Sequence, residues 1–503
     1  MKKHIFYTII AILLVAVIGC KDYLDVNTNP NAPTVTVPDL VLSGALTESA
    51  RILSVDMNAY AAYWAGYWSA SGTYSNSGDT RRFFNLNNTS FQGVWSNSYL
   101  NAANYNYVEN ASKLIANYDN IRAISKIMKV YDFQNLIDNY GNIPYTSALK
   151  GFQSLSPTYD NASVVYEMLS AQLDSAVTII QNAPTGTVVP TKTVDIMFQG
   201  NMNNWAKLAN TMNLRLLLRQ SEIGSKAAFI TAELAKIIAN GAGFLDSDAL
   251  INPGYAKATS LQNPFWESNG LGVGDDVGNR DYNRASEYSV RYFVLGTDPR
   301  ADRLFRRPGS APGTNTGAAA YKGIPFGAPP DADWSTSKTS AFGLGVMPSP
   351  AGNVVFFSNA QSQFLQAEAA FRGWITGNPR TLYESGITAS FTLLGVPSAG
   401  TAAKAYYNSG NDYQDWDNSA DKLKAIITQK WAANTSIDAM EAWSDVRRLN
   451  IPGDLPQSLE PLKINPTPPV RLLYPQTEYS NNASAVAAQG SIDQFTSKIF
   501  WQP

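Results

Sequence analysis

Trp205-Ala206-Lys207-Leu208-Ala209-Asn210-Thr211-Met212-Asn213-Leu214-Arg215-Leu216-Leu217-Leu218-Arg219 is the stretch on which the fold turns. Apolar side chains recur at 205, 208, 209, 212 and 216, and again at 214, 217 and 218. That spacing predicts an α-helix, and apolar residues on all of its sides mean a helix enclosed by other elements. Arg215 and Arg219 lie one turn apart on it and can reach carboxylates.

Helical pattern extends in both directions from this segment. Upstream it covers Pro38 onward, with Tyr60, Tyr63, Trp64, Tyr67 and Trp68 on one aromatic face, then roughly 90–117 and 121–138. Asp160 or Asn161 is placed to cap the next helix, through Tyr166, Leu169, Leu173 and Val177. Downstream it returns at 359–374, 379–394, 420–433 and 437–449. Between about 252 and 350 the periodicity fades, and Gly, Pro, Asn and Asp dominate among scattered Tyr, Trp and Phe. Paired amphipathic helices around a long irregular insertion predict a mainly α protein built as helical hairpins, and loops of that length are usually functional.

The first twenty residues read separately. Lys2 and Lys3 precede an apolar run from Ile5 to Ile18, followed by Gly19 and Cys20, the only cysteine. The run is too short to span a bilayer as a helix and reads as a secretory signal over 1–19. Val17-Ile18-Gly19-Cys20 resembles a bacterial lipobox, which implies acylation of Cys20 and attachment to a membrane. A plain secretory peptide or an uncleaved anchor helix are the alternatives. Residues 20–37, punctuated by Pro30 and Pro33, read as a tether, and 38–503 as one helical domain.

Composition removes whole classes of chemistry. His4 is the only histidine and leaves with the signal, so no Ser-His-Asp triad, Cys-His pair or His/Cys zinc site is expected. The net charge of −2 and the lack of a basic run argue against nucleic acid. Tyr (26) and Trp (11) beside many amides suit neutral polar ligands such as sugars.

Several segments, read in order, resemble the SusD/RagB family of outer-membrane nutrient-binding lipoproteins. They are Asp138-Asn139-Tyr140-Gly141-Asn142-Ile143-Pro144-Tyr145, Pro157-Thr158-Tyr159-Asp160, the run from Asp195 through Gly200 to Arg219, and Phe364-Leu365-Gln366-Ala367-Glu368-Ala369. Tyr383 with Gly386, Gln429-Lys430-Trp431, Glu441 to Arg448, and Pro469 to Pro475 with Glu478 complete the series. The start, Tyr23 to Pro30, is similar to one branch of that family. The resemblance implies a tetratricopeptide-like helical fold with an irregular ligand-bearing face and no enzymatic activity. It also implies a SusC-like TonB-dependent barrel as partner and oligosaccharide, or in some members peptide, as cargo. Glu441, Asp445, Arg447 and Arg448 are expected to form ion pairs on a helix surface or end. Arg471 and Glu478 are expected to fasten the C-terminal segment.

Stacking on a sugar ring needs aromatic faces on loops, with amide, carboxylate or guanidinium groups around them. That demotes Tyr60, Tyr63, Trp64 and Trp95 to core. It favours Trp68, Tyr74, Asp79 and Arg81 in one loop region, and Trp266, Asn269, Tyr282, Tyr321 and Trp334 in the other. No cofactor is expected, although the carboxylates in Gly272 to Asp281 offer oxygen ligands for calcium. Glu267 with Asp275 or Asp276 is the only carboxylate pair that suggests a glycoside hydrolase.

Overall fold

Helices carry most of the chain in the computed structural model, which describes residues 37–74, 79–278 and 280–503. Cys20, the apolar run before it and the tether up to residue 36 lie outside the described residues. The N-terminal half contains α1 (Pro38–Arg51), a wide π-turn (Ile52–Met57), α2 (Asn58–Trp64) and β1 (Trp68–Ala70). It continues with α3 (Gln92–Ser112), α4 (Asp119–Tyr140), α5 (Ala162–Gln181), α6 (Met202–Arg219) and α7 (Ala227–Ala239). The middle region holds β2 (Ala249–Ile251), α8 (Pro264–Asn269), β3 (Asn283–Ala285), α9 (Glu287–Leu295), β4 (Phe305–Arg306), β5 (Ala341–Phe342) and β6 (Val354–Phe357). The C-terminal half is α10 (Asn359–Phe371), α11 (Pro379–Leu394), α12 (Ala399–Tyr407), α13 (Lys422–Ala433) and α14 (Ala439–Leu449).

Consecutive helices pack on one another: α3 on α4, α4 on α5, α5 on α6, then α10 on α11 and α11 on α12. This is the hairpin framework that the periodicity predicts. Local signals set the helix starts. Asn161 accepts from the amides of Ser163 and Val164, Asn201 from Asn204, and Asp421 from Lys424, each satisfying otherwise orphan N–H groups. Gly141, at φ +74°, ends α4. Asp195 explains its own motif: it accepts from the amides of Met197, Phe198 and Gly200 and from Trp205 Nε1, and so fixes the entry to α6. Among the described residues the strands form three two-stranded antiparallel sheets, β1–β3, β2–β6 and β4–β5. No described helix is long and apolar enough to cross a membrane.

The aromatic face of residues 60–68 departs from one expectation. The helix stops at Trp64, and Gly66 adopts φ +79°, so Tyr67 and Trp68 lie beyond it and Trp68 opens β1. Tyr60, Tyr63, Trp64 and Trp95 are core, as expected.

The halves meet on buried charge. Arg219 bridges Glu441 at 2.7 Å and Asp138 at 3.3 Å. Lys430 bridges Asp445 at 2.9 Å, Asp445 bridges Arg448 at 2.9 Å, and Arg448 grips Glu368 at 2.6 and 2.7 Å. Asp138 also accepts from Tyr166 and from Trp501 Nε1 near the C-terminus. The expected surface pairs at 441–448 are therefore an interior network: Glu441, Asp445 and Arg448 are each about 2% exposed. Their ion partners lie on α6, α10 and α13, so this face of α14 is turned to the interior. Arg471 donates to the Tyr140 carbonyl and Glu478 accepts from Tyr159 at 2.8 Å, so the C-terminal segment is fastened as expected.

Burial alone would raise the Glu368 carboxyl, but Arg448 and Arg372 outweigh it and hold it at about 2. Glu441 is likewise held low by Arg219, Lys430 and Arg215 against its burial. Asp438 moves the other way, up to about 6, through burial and the charge of Glu441. A depressed carboxyl contributes its full stability above about pH 4.3 and loses it as pH falls through its folded value. Asp438 contributes most at low pH and loses that as pH rises through about 6. The melting midpoint is therefore expected to rise modestly as pH falls from 7 to 5, as Asp438 takes up its proton, and to fall steeply from about 4.3 toward 2, with a shallower acid limb in Glu368→Gln. Glu368→Ala removes the bidentate partner of Arg448, leaving it Asp445 as its one carboxylate, and is expected to cost about 3 kcal/mol in urea unfolding. Glu368→Leu with Arg448→Met should recover more than half, because Arg372 keeps Glu222 and Asp445 keeps Lys430. A double variant as unstable as the single one would contradict this account.

Candidate ligand-binding face

One short strand pair assembles the face. β1 and β3 run antiparallel with Trp68 opposite Ala285, Ser69 opposite Arg284 and Ala70 opposite Asn283. Just past this ladder, the amide of Ser71 donates to the Tyr282 carbonyl at 2.8 Å. The next amide, Gly72, donates to the Trp334 carbonyl at 2.8 Å, and Thr336 N donates to Thr73 Oγ1 at 3.0 Å. Two loops, each more than two hundred residues further along the chain, thus converge on residues 71–74. Gly72 is required at the junction: a Cβ there would lie 2.5 Å from the Asp331 carbonyl oxygen and 2.9 Å from Trp334 Cβ.

Two half-buried rings form the centre. Tyr74 and Tyr282 stand 5.7 Å apart with their planes tilted by 43°. Tyr74 donates to the Asp281 carboxylate, and burial with Asp281 pushes its hydroxyl up to about 12. Tyr282 donates to Asp79 Oδ2 at 2.8 Å, while Arg81 Nε meets Asp79 Oδ1 at 2.9 Å. The Arg81 guanidinium lies 4.3 Å from the Tyr63 ring centre and 5.1 Å from that of Tyr282, a cation–π sandwich. Burial works to raise the Asp79 carboxyl, but Arg81 and Tyr282 outweigh it and hold it below the usual carboxylate range. Asp79 and Arg81 are therefore a charge pair that orients Tyr282. Trp334 is carried by the 331–339 loop whose main chain meets Gly72, and Lys322 Nζ lies 4.8 Å from its ring centre. Arg284 fastens that loop through the Thr336 and Thr339 carbonyls.

Of the residues expected from the sequence, Tyr74, Asp79, Arg81, Tyr282 and Trp334 come together, with Asn269 behind them. Asn269 is buried and accepts from Asn283 Nδ2 at 2.9 Å, and Asn283 accepts from Tyr63 at 2.6 Å, so Asn269 braces the face from beneath. Trp68 is a correction. It is 2% exposed, donates to Ser436 Oγ at 2.9 Å and packs on Phe265 and Phe342, because the chain turns at Gly66 and directs the indole inward. Trp266 is a second. Asn263 caps α8 with Pro264 in its first turn, and the ring is carried into the interior, where Nε1 donates to the Leu271 carbonyl at 3.0 Å. Tyr321 belongs to a different set of contacts: it donates to Asp302, and Arg307 covers its ring at 4.5 Å.

The acidic loop is also accounted for. Asp275 pairs with Lys257 at 2.6 Å and Asp276 with Arg280 at 2.9 Å, both carboxylates standing in solvent. Among the described residues no group of three or more His, Cys, Asp or Glu side chains is placed to hold a metal ion. Sequence reasoning missed Tyr288, Arg291 and Tyr292, which line a cavity of about 460 Å³. The available signal was Ser286 followed by Val290 and Phe293, a cap and an apolar stripe inside a region taken as irregular.

A helical-hairpin protein that carries an aromatic platform on convergent loops matches one family model. That model, SusD-like and described as "Starch-binding associating with outer membrane", matches residues 30–475, and the chain belongs to this family. No curated protein matches the chain in sequence. Among solved structures, a chitin-binding SusD homologue from Flavobacterium johnsoniae is 24% identical, covering 92% of this chain and 98% of its own at a TM-score of 0.75. A SusD homologue from Bacteroides uniformis is 20% identical, covering 92% and 99% at a TM-score of 0.73. A SusD-like protein from Bacteroides thetaiotaomicron is 24% identical, covering 92% and 98% at 0.72.

A side chain at position 72 should loosen the junction. In Gly72→Val, hydrogen exchange across residues 331–336 is expected to quicken at least tenfold while the helices stay protected. Unchanged protection would mean that this contact does not hold the loop.

Proposed function

We propose that this protein captures oligosaccharide at the Tyr74–Tyr282–Trp334 face and passes it to a SusC-like TonB-dependent barrel. The carrying observation is the platform itself: two tilted tyrosine rings, one held by an Asp79–Arg81 pair, with the loop of Trp334 joined to the same segment at Gly72. Sugar C–H faces stack on such rings, while the surrounding groups bond hydroxyls. The family description and the chitin-binding name of the Flavobacterium homologue support the reading. N-acetylglucosamine and glucose oligomers are accordingly the first probes. Binding without turnover is the expected activity, since the candidate hydrolase carboxylates stand open to solvent and two of them are tied to cations.

Acylation at Cys20 would hold the protein on the outer membrane, as the family description suggests. Cys20→Ser is expected to release it from the membrane fraction, and gentle purification of the native form should bring a large barrel with it. Retention of the serine form, or recovery of the protein alone, would contradict the anchor or the partner respectively.

Tyr74→Ala with Trp334→Ala is expected to weaken oligosaccharide binding at least tenfold, about 1.4 kcal/mol, by calorimetry. The melting midpoint should move little, because both rings are partly exposed. Alanine at Trp68 or Trp266 should instead lower the melting midpoint. Full affinity in the Tyr74/Trp334 variant would remove this face from the function.

A further inference from the structure

The cavity of about 460 Å³ beside α9 belongs to no part of the face described above. Its volume falls in the range of small-molecule sites. Tyr288 and Tyr292, four residues apart, stand on one side of α9. Both rings meet the indole of Trp431 at a steep angle, at 5.7 Å and 5.0 Å, which holds them in place from behind. Tyr288 donates to Asp454 Oδ1 at 2.7 Å, and Gln429 Nε2 donates to the Tyr292 hydroxyl at 3.2 Å. The aromatic lining is therefore preorganised, with Phe326 completing it.

The rim carries the opposite character. Glu287, Arg291 and Gln457 are exposed, and none of their side chains has a hydrogen bond, ion pair or ring contact among the described residues. Glu287 and Arg291 are four residues apart on one helix yet do not pair. A free guanidinium, a free amide and a free carboxylate around tyrosine rings suit neutral hydroxyl groups. An anion would face Glu287 and Asp454 as well as Arg291. A peptide would find no open strand edge, since none of the lining residues lies in a strand. A second cavity of about 390 Å³ continues from the first through shared Phe326, Pro456 and Gln457, so the groove accommodates more than one ring of a chain.

We infer that this groove is a second saccharide subsite, binding neutral sugar units through Tyr288, Tyr292, Arg291 and Gln457. The inference rests on the reading of the protein as a glycan binder. β3 and the cap Ser286 are the only residues between Tyr282 on the face and Glu287 at the cavity. Six residues from Tyr282 to Tyr288 span at most roughly 20 Å. One oligosaccharide can therefore engage both sites, and tethering raises the effective concentration of the second contact.

The test uses the intact protein with N-acetylglucosamine oligomers from monomer to hexamer and with maltohexaose, followed by saturation-transfer NMR and calorimetry. Dimer saturation is expected to persist in Tyr74→Ala/Trp334→Ala and to fall at least fivefold in Arg291→Ala/Gln457→Ala, whose exposed, unpartnered positions leave folding intact. Hexamer affinity should drop in both. Saturation that vanishes in the face variant and is untouched in the groove variant overturns the second subsite and leaves the face standing. Saturation by none of the sugars in the unmodified protein, or by a proline- and tyrosine-containing peptide alone, overturns the glycan reading and the subsite with it.

Discussion

Arg219 reaches two carboxylates from different parts of the chain, Asp138 on α4 and Glu441 on α14, in a place where water does not enter. From Glu441 the alternation of charge runs through Lys430, Asp445 and Arg448 to Glu368, on α13, α14 and α10. Isolated buried ions would be strongly destabilising, and each member of this series is tolerable only because its neighbours are present. Helical hairpins stack by apolar contact that specifies position only loosely. The charges admit one arrangement, because any slip of one helix against another would strand a charge in the interior. The relation between the two halves of the framework depends on this series.

The convergent loops inherit that geometry. Tyr67 donates its hydroxyl to the Trp431 carbonyl, and Trp431 donates to the Ala65 carbonyl, so the segment entering β1 is pinned to α13. β1 then positions β3, and the pair carries Tyr282 to Tyr74. The same α13 indole backs the tyrosines of the α9 cavity. The β1–β3 pair and the α9 cavity are thus both braced by the same buried indole of the helical framework.

Periodicity was a good guide wherever a helix was long. The segments at 121–138, 205–219, 379–394 and 437–449 are helices within a few residues of their expected bounds, because a strong 3.6-residue pattern, reinforced in the last three by a capping Asn or Asp, outweighs local irregularity. It was a poor guide in the loop region. Trp68 and Trp266 lie in the same two stretches of chain as Tyr74 and Tyr282, but a positive φ at Gly66 and a cap at Asn263 turn the two indoles inward. Those are local backbone events, and residue type alone does not report which way a ring faces afterwards. The short α9 was hidden for a related reason: nine residues of pattern between glycine-rich loops carry little statistical weight. The charges of α14 were misplaced because burial of a charged helix depends on partners elsewhere in the chain.

The order of motifs along the chain, the single histidine and single cysteine, the helical class and the apolar run from Ile5 to Ile18 are all properties of residue type and spacing, and the sequence by itself determined them. Which aromatic rings meet water was decided by tertiary structure. So was the conversion of Glu441, Asp445 and Arg448 from apparent surface charges into an interior network, and the convergence of residues 74, 282 and 334. The physical reason is common to all three. Burial and convergence are relations between segments hundreds of residues apart, set by strand pairing and by the need to neutralise buried charge, and no local window of sequence contains them.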